Sequence, residues 1–318
     1  MTVMNYSDAG KLALAECMRA DPTIWVVGED LGRGGVFGQY MGLEEEFGPE
    51  RIVSAPISEA AIMGSAVGGA LTGTRPIVEL RFADFALCAV DEIVNQAAKA
   101  RYMFGGQAKV PLVIRQPSGM WRSSAAQHSQ SLEAWYAHIP GLVVAMPATP
   151  ADNYGLLRAA IECDDPVVYM EHKDLWTLEG DVPEGHMVEI GKASLVREGS
   201  DVTIVTWSRT RHVASEAAET LAARGTSVEL FDLRSLWPWD RECVLASAAK
   251  TGRLLVAHEA VRDGGFGAEV AATAAEEVPG LKLARLGAPR IPIPYATPLE
   301  DVVRVTAETI IGAVERLI

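Results

Sequence analysis

Basic residues are scarce in this chain of 318 residues. Its 28 Lys and Arg residues are outnumbered by 42 Asp and Glu residues, which leaves a formal net charge of −14 at pH 7. A surface with this balance repels phosphate backbones and anionic lipids unless a local basic patch reverses it, and we find no such patch in the sequence. Composition therefore argues against a protein that binds nucleic acid or a membrane surface.

Cysteine pairs and long apolar runs are missing too. The four cysteines, at positions 17, 88, 163 and 243, are far apart and show no CxxC spacing, so neither a disulfide framework nor a zinc site has support. The uncharged stretch of residues 60–74 contains four glycines and is shorter than the roughly 20 apolar residues of a membrane span. We therefore expect a reduced, cytoplasmic setting, without a membrane span or a secretion signal.

Four common motifs of catalysis and nucleotide binding are also absent. The sequence has no GxGxxG after its first predicted strand, no GxxxxGK[ST], no GxSxG and no HExxH. These absences remove the usual support for a dinucleotide-binding protein, a nucleoside triphosphatase, an esterase or a zinc protease.

Short apolar runs do alternate with longer helical patterns along the chain, which predicts an α/β fold of parallel sheets covered by helices. The length allows two domains. Because the alternation pauses in a polar, glycine-bearing stretch, we assign residues 1–176 and 201–318 to the domains and residues 177–200 to a linker. One amphipathic helix is predicted over residues 299–318.

The most unusual stretch, APISEAAIMGSAVGGALTG, spans residues 55–73. Pro56 keeps the preceding residue extended, Ser58 suits an N-cap, and Glu59 then falls in the first turn of a helix. The helix dipole stabilises a carboxylate there, and that alone requires no function. The four glycines of this helix lower its propensity, however, and are best explained by close approach of another backbone or a ligand.

His128 is a second candidate, because it lies in the polar part of AAQHSQSLEAWYAHIPG at a predicted loop-to-helix junction. A histidine there can cap the helix or face water. A neutral imidazole near pH 7 suits proton transfer equally well, and the residues alone leave both alternatives open.

A third group follows the predicted strand RPIVELRF and includes Phe82, Asp84 and Phe85. Open α/β sheets bind ligands at the carboxyl ends of their strands. A phenylalanine in such a turn commonly packs in the core; the alternative is a flat face on which an aromatic heterocycle stacks.

Several long segments occur in a characteristic order: VVGEDLGRGGVFGQYMGLEEEFGPERI, APISEAAIMGSAVGGALTGTRPIVEL, FADF, DEIVNQAAKARYMFGGQ and QHSQSLEAWYAHIPGL. In these segments the chain resembles, almost from end to end, the beta subunit of the thiamine-diphosphate-dependent first component of 2-oxo acid dehydrogenase complexes, which include the pyruvate and acetoin dehydrogenases. The resemblance implies a transketolase-like pyrimidine-binding domain followed by a transketolase C-terminal-like domain.

The resemblance also implies roles for individual side chains. Glu59 matches the glutamate that hydrogen-bonds the aminopyrimidine of thiamine diphosphate and favours the imino tautomer, whose nitrogen removes the thiazolium C2 proton. Phe85 matches an aromatic residue against that ring, and His128 matches a histidine implicated in proton transfer during acyl delivery to a lipoyl group. Arg81 departs from the family, which often has an apolar or amide residue there, and we expect it in the cofactor's neighbourhood.

Partners and metals are implied in the same way. The chain lacks the GDG…N motif with which the family binds magnesium and diphosphate, so we expect half an active site, completed by an alpha subunit in an alpha2-beta2 heterotetramer. The lipoyl-bearing acyltransferase core is the further partner. Family members also bind a potassium ion through backbone carbonyls, and the matching positions are Leu112, Ala160, Cys163 and Asp165.

The expected function is therefore that of a beta subunit acting on pyruvate, acetoin or a related substrate. One alternative is the C-terminal half of a split transketolase that transfers two-carbon ketol units. A sugar phosphate site needs several basic residues, whereas PSGMWRSSAAQHSQS offers chiefly Arg122. A non-catalytic scaffold for the acyltransferase core is the other alternative; it would need neither Glu59 nor His128, and both are present.

Overall fold

Two compact units make up the structure, a computed structural model that describes residues 2–318. The first unit contains residues 2–118 and 135–190, and the second contains residues 119–134 and 191–318. Residues 119–134 thus interrupt the first unit in sequence and cluster with the second. We describe each unit by itself.

A parallel sheet forms the centre of the first unit. Its strands are hydrogen-bonded in the order β6-β7-β5-β4-β2-β3, and neighbours run parallel. Strands β5 and β7 are buried throughout, as expected for a parallel sheet covered by helices. The strands are β2 Ile24–Glu29, β3 Ile52–Ala55, β4 Arg75–Glu79, β5 Val113–Ser118, β6 Val143–Ala145 and β7 Val167–His172.

Six helices belong wholly or partly to this unit, and two of them begin at side-chain caps. Asn5 accepts a hydrogen bond from the Asp8 N–H, and Thr149 accepts one from the Asp152 N–H. A separate antiparallel pair consists of β1 Thr2–Asn5 and β8 Glu179–Val182. The helices are α1 Tyr6–Ala20, α2 Leu43–Phe47, α3 Glu59–Leu71, α4 Ala98–Met103, α5 Glu133–Ala137 and α6 Pro150–Glu162.

The second unit has a five-stranded sheet in the order β14-β13-β10-β11-β9, parallel except for the antiparallel edge strand β9. Its core is built largely from Val, Ile, Leu and Ala side chains. The strands of this sheet are β9 Ser194–Arg197, β10 Val202–Thr206, β11 Val228–Asp232, β13 Arg253–Val261 and β14 Lys282–Ala288, and the short strand β12 Ser235–Trp237 lies outside it. The helices are α7 Thr210–Ala223, α8 Arg241–Thr251, α9 Gly267–Glu277, α10 Thr297–Val303 and α11 Ala307–Glu315.

This architecture confirms the α/β class and corrects one expected helix, while the division into domains stays a prediction. The predicted linker contains β8 and β9. The helix predicted over residues 299–318 is two helices, because Thr306 starts a new one with a capping box. The region before α4 begins as a 3-10 helix, Phe85–Ala89, and continues as a π-helix, Glu92–Ala97, a form often found at functional sites.

Candidate active site

Three neighbouring strands of the first unit end at the same edge of its sheet. Strand β2 lies between β3 and β4, with Glu29 opposite Ala55 and Gly28 opposite Glu79. Because all three strands are parallel, the residues that follow them share one edge, which is where open α/β sheets bind ligands. The sequence-predicted residues Glu59, Arg81 and Phe85 all follow these strands.

Glu59 is the first residue of α3 and is half-buried. The predicted side-chain cap is absent, since the Ser58 side chain caps no helical N–H. Glu29, at the end of β2, has a raised pKa, first because it is partly desolvated; the positive charge of Arg81 opposes this shift, and the negative charges of Glu59 and Asp30 add to it. Glu59 therefore has an acidic neighbour and a cation close to that neighbour.

Arg81 binds two acids of its own chain. Its Nε lies 3.0 Å from Glu29 Oε2, and its Nη2 lies 2.5 Å from Asp30 Oδ2. Sequence reasoning missed both partners, although they stand in the GED triplet of the first quoted segment. The guanidinium thus offsets negative charge at the strand ends, and this gives the departure at position 81 a physical role within the chain.

An aromatic cluster follows β4. The rings of Phe82 and Phe85 meet edge to face with centroids 5.4 Å apart, and Phe37 contacts Phe82 in the same manner at 5.6 Å. The Lys173 ammonium lies 4.8 Å from the centroid of Phe82. Helix α3 packs against the 3-10 helix that begins at Phe85, so the helix that starts with Glu59 and the aromatic cluster are neighbours.

The glycines of α3 divide into two kinds. A Cβ at Gly69 would lie 2.9 Å from the Trp25 ring, so this glycine permits close packing within the chain. A Cβ at Gly68 would meet no atom within 4 Å, and at Gly64 the nearest would be Glu92 Cγ at 3.9 Å; both glycines are exposed. The predicted close approach to a glycine is therefore found at Gly69. At Gly64 and Gly68 no atom of the chain comes close enough to require a glycine.

His128 is half-buried and belongs to the second unit. It lies in a bend, five residues before the first residue of α5, and so it is not the N-cap residue of that helix. Three non-glycine residues nearby have left-handed backbone: Arg122, Ser123 and Ala125, with φ of 46°, 57° and 61°. The loop that carries His128 therefore holds an unusual conformation.

The four positions matched to a potassium site already make bonds within the chain. The Leu112 carbonyl accepts from the Val167 N–H at 2.8 Å, and the Ala160 carbonyl accepts from the Cys163 N–H at 3.3 Å. The Cys163 carbonyl accepts from Arg75 Nη1 at 3.1 Å, and the Asp165 carboxylate pairs with Arg101. Two arginine cations thus occupy this region, and a potassium ion would have to use the remaining carbonyl lone pairs. The site stays a prediction.

Residues 2–318 contain neither a cluster of metal-ligating side chains nor a helix that could span a membrane. No group of three or more His, Cys, Asp or Glu residues that could hold a metal ion occurs within residues 2–318. Every helix in that range is too short or too polar to span a bilayer.

Comparison with known proteins places both units in defined families. The transketolase pyrimidine-binding domain family matches residues 2–177, and the transketolase C-terminal domain family matches residues 191–310. The beta subunit of the 2-oxoisovalerate dehydrogenase of Bacillus subtilis is 42% identical over 324 residues, which cover all of this chain and 99% of that protein. The beta subunit of the acetoin:2,6-dichlorophenolindophenol oxidoreductase of Cupriavidus necator is 43% identical, with 96% of each chain covered.

A solved structure is similar over nearly the whole chain. It is described as a split-gene transketolase in the form of an inactive beta4 tetramer, and it matches with a TM-score of 0.84 at 28% identity, covering 98% of this chain and 97% of that one.

Proposed function

The chain belongs to the family of beta subunits of the thiamine-diphosphate-dependent 2-oxo acid and acetoin dehydrogenases, and we propose that it supplies the aminopyrimidine half of such an active site. The observation that carries the proposal is the grouping of Glu59, Glu29, Arg81 and Phe85 at one edge of the first sheet, in a chain matched from end to end by dehydrogenase beta subunits.

Glu59 is proposed to accept a hydrogen bond from a ring nitrogen of the aminopyrimidine and to favour its imino tautomer. The half-buried position suits this role, because the helix N-terminus attracts a negatively charged side chain and the position is partly shielded from water. Arg81 offsets the charge of Glu29 and Asp30, so that Glu59 is not the third uncompensated acid of the cluster.

Phe85 is proposed to contact the flat face of the pyrimidine ring, with Phe82 fixing its orientation. When bound, thiamine diphosphate supplies an electron sink for carbanion charge at the substrate's carbonyl carbon. The chain's own contribution is to orient the ring and hold a proton at its nitrogen. His128 is proposed to move a proton while the acyl group passes to a lipoyl arm.

The remaining parts are proposed to come from partners. An alpha subunit would supply the magnesium and diphosphate site and complete an alpha2-beta2 heterotetramer, and a lipoyl-bearing acyltransferase core would accept the acyl group. A potassium ion near residues 112–165 and a cytoplasmic location belong to the same proposal. The substrate is pyruvate, another 2-oxo acid or acetoin.

The decisive experiment uses the chain co-purified with its alpha subunit. We expect transfer of substrate carbon to a lipoyl domain, with labelled carbon dioxide released from a 2-oxo acid, and no activity from the beta chain alone. Ketol transfer between sugars without acylation of the lipoyl domain would instead favour the split transketolase. Full activity of the isolated beta chain would contradict the half-site proposal.

Substitution tests the role of Glu59. Glu59→Gln should lower turnover by about 10²- to 10⁴-fold, the range for loss of a positioned proton-transfer group, and should suppress exchange of the cofactor's C2 proton measured by NMR. Glu45→Gln, at an exposed acid on α2, is the matched control and should leave both unchanged. C2 exchange at the wild-type rate in Glu59→Gln would contradict the assigned role.

A further inference from the structure

Residues 119–134, which we call the His128 segment, have a conformation that must be maintained by contacts. Arg122, Ser123 and Ala125 lie in the left-handed region, which is unfavourable for residues with a Cβ. One contact is made near the middle, between Ser123 Oγ and Thr297 Oγ1 at 2.8 Å, on the exposed side. Buried contacts are made at both ends of the segment.

Glu259 holds the first end. Its Oε1 accepts a hydrogen bond from the Met120 N–H at 2.7 Å, in a buried setting, and a bond to an ionised acceptor is stronger than one between neutral groups. The Met120 side chain packs with Ala288, Val303 and Ile293. Arg209 Nη1 lies 3.8 Å from the other oxygen of Glu259.

Glu133 holds the second end. Its Oε1 accepts a hydrogen bond from Trp207 Nε1 at 3.2 Å, and both residues are buried. Trp207 is itself fixed, since its ring stacks on His258 with centroids 5.0 Å apart and meets Phe266 edge to face. The orientation of Glu133 is therefore set by a rigid aromatic group on another part of the second unit.

Two buried carboxylates are costly in a position that apolar residues could fill. Burial raises the pKa of Glu133 to about 7, the Trp207 hydrogen bond counteracts this shift, and the nearby charge of Glu259 adds to it. A buried glutamate at this cost is explained if its hydrogen bond to Trp207 holds the segment in place. His128, the residue of this segment with a proposed catalytic role, lies between its two clamped ends.

We propose that Glu133 and Glu259 are positioning residues that clamp the His128 segment at both ends and so hold His128 for proton transfer during acyl delivery. The proposal rests on the proposed function of His128. It assigns the task to the two carboxylates without requiring them to touch the substrate.

The test uses the assembled complex and two activity assays. One measures acylation of a lipoyl domain, which requires His128, and the other measures reduction of 2,6-dichlorophenolindophenol, a soluble dye that accepts electrons without a lipoyl group. Glu133→Ala and Glu259→Ala should each lower lipoyl acylation by about 10- to 100-fold, the loss expected from a misplaced group, and should change dye reduction by less than about two-fold. Glu133→Gln, which keeps the acceptor oxygen, should restore most of the acylation.

Hydrogen exchange supplies a readout that does not depend on activity. In both alanine variants, peptides from the His128 segment should exchange faster than in wild type, while the sheet of the first unit is unchanged. Glu229→Ala is the matched control, because Glu229 is a buried carboxylate of the same unit. Its hydrogen bonds are to Ser247 and Lys250, which lie outside the His128 segment. This variant should leave exchange in the segment and the ratio of the two activities unchanged.

Several outcomes would overturn the proposal, and each differs from failure of the proposed function. Unchanged exchange in the His128 segment of both alanine variants would refute the clamp. Equal losses in both assays would show a general structural role. If His128→Ala acylates the lipoyl domain normally, Glu133 and Glu259 do not position a residue that this step requires. A wild-type complex that is inactive in both assays would instead refute the proposed function. The hydrogen-exchange result would still show whether the two carboxylates hold the His128 segment.

Discussion

Two buried clusters, one around Arg115 in the first unit and one around Glu133 in the second, hold their ionisable groups by opposite means. In the first unit, Arg115 donates to Glu171 through Nε and Nη2, both at 2.8 Å, and through Nη1 to the Tyr40 hydroxyl at 2.8 Å. The Tyr40 hydroxyl in turn donates to Glu79 at 2.5 Å. In the second unit, Glu133 is bound by the neutral indole of Trp207, and Trp207 stacks on a buried histidine.

This difference affects how each cluster responds to pH. Burial lowers the pKa of Arg115, but the charge of Glu171 raises it further, so that the pKa lies well above its ordinary value and the guanidinium keeps its charge. Groups held by neutral donors instead have pKa values displaced toward neutral forms: burial raises the pKa of Glu133 to about 7 and lowers the pKa of His258 to about 4. The Arg115 cluster therefore depends on a cation that must be paired, although burial also raises the pKa of its Glu79 to about 7, and the Glu133 cluster depends on protons that can leave or arrive.

Removing the cation of the first unit should have the largest effect. Arg115→Met leaves Glu171 and Glu79 buried without their cationic partner, and loss of one member of a buried pair costs about 3–5 kcal/mol. Native-state hydrogen exchange at the amides of β5 and β7 would measure this loss. Arg224→Met is the control, because the Arg224–Glu315 pair is exposed and such pairs contribute only about 0–1 kcal/mol.

The double variant Arg115→Met/Glu171→Met sharpens this test. If the penalty of the single variant comes from an unpaired buried acid, removing that acid should recover much of the stability. A double variant as unstable as the sum of the two singles would mean that packing, and not charge pairing, dominates the first unit.

Next in size is the pH response of Glu133. Between the ordinary carboxyl pKa of about 4.5 and the folded value of about 7, the native state binds more protons than the unfolded state, so stability falls as pH rises through this window. Glu133→Gln cannot ionise and should remove the contribution of Glu133 to this slope. At pH 8 it should be more stable than wild type by on the order of 3 kcal/mol, using 1.36 kcal/mol for each pKa unit. Opening free energies from hydrogen exchange in β10 and β13, measured from pH 5 to pH 8, provide the check.

Local patterns in the sequence predict much of the first unit. Apolar runs between glycines and prolines mark strands such as β2 and β7, and Pro56 followed by Ser58 marks the start of the helix that opens with Glu59. The α/β class, the parallel sheets and the helical position of Glu59 follow from residues a few positions apart.

Contacts between distant residues could not be predicted in this way. Met120 and Glu259 are 139 residues apart, and Glu133 and Trp207 are 74 apart, so no local pattern connects them. The pairing of Arg81 with Glu29 and Asp30 is likewise set by the order of strands in the sheet. Short polar strands such as β8 carry too weak a hydrophobic pattern to distinguish them from a linker.

The smallest expected effect at pH 8 is that of His258→Phe. His258 Nδ1 bonds the Ala260 carbonyl at 3.1 Å, and loss of one such bond costs about 1 kcal/mol, while the aromatic stack on Trp207 is kept. Its pH dependence is opposite in sign to that of Glu133. Between pH 4 and the ordinary histidine value of about 6.5 the unfolded state binds more protons, so in wild type stability is lost as pH falls through this window.

The phenylalanine has no proton to gain, so the loss of stability on acidification that His258 causes should disappear below pH 6.5 and leave the opposite slope of Glu133, while β5 and β7 of the first unit keep the wild-type profile. Hydrogen exchange in β13 at pH 5 and pH 8 measures the change. The ring is tightly enclosed, since a Cβ at Gly267 would lie 2.7 Å from it, and His258→Gln, which removes the titration with a smaller side chain, guards against overpacking. If both variants kept the wild-type slope, the acid sensitivity of the second unit would have to come from a group other than His258.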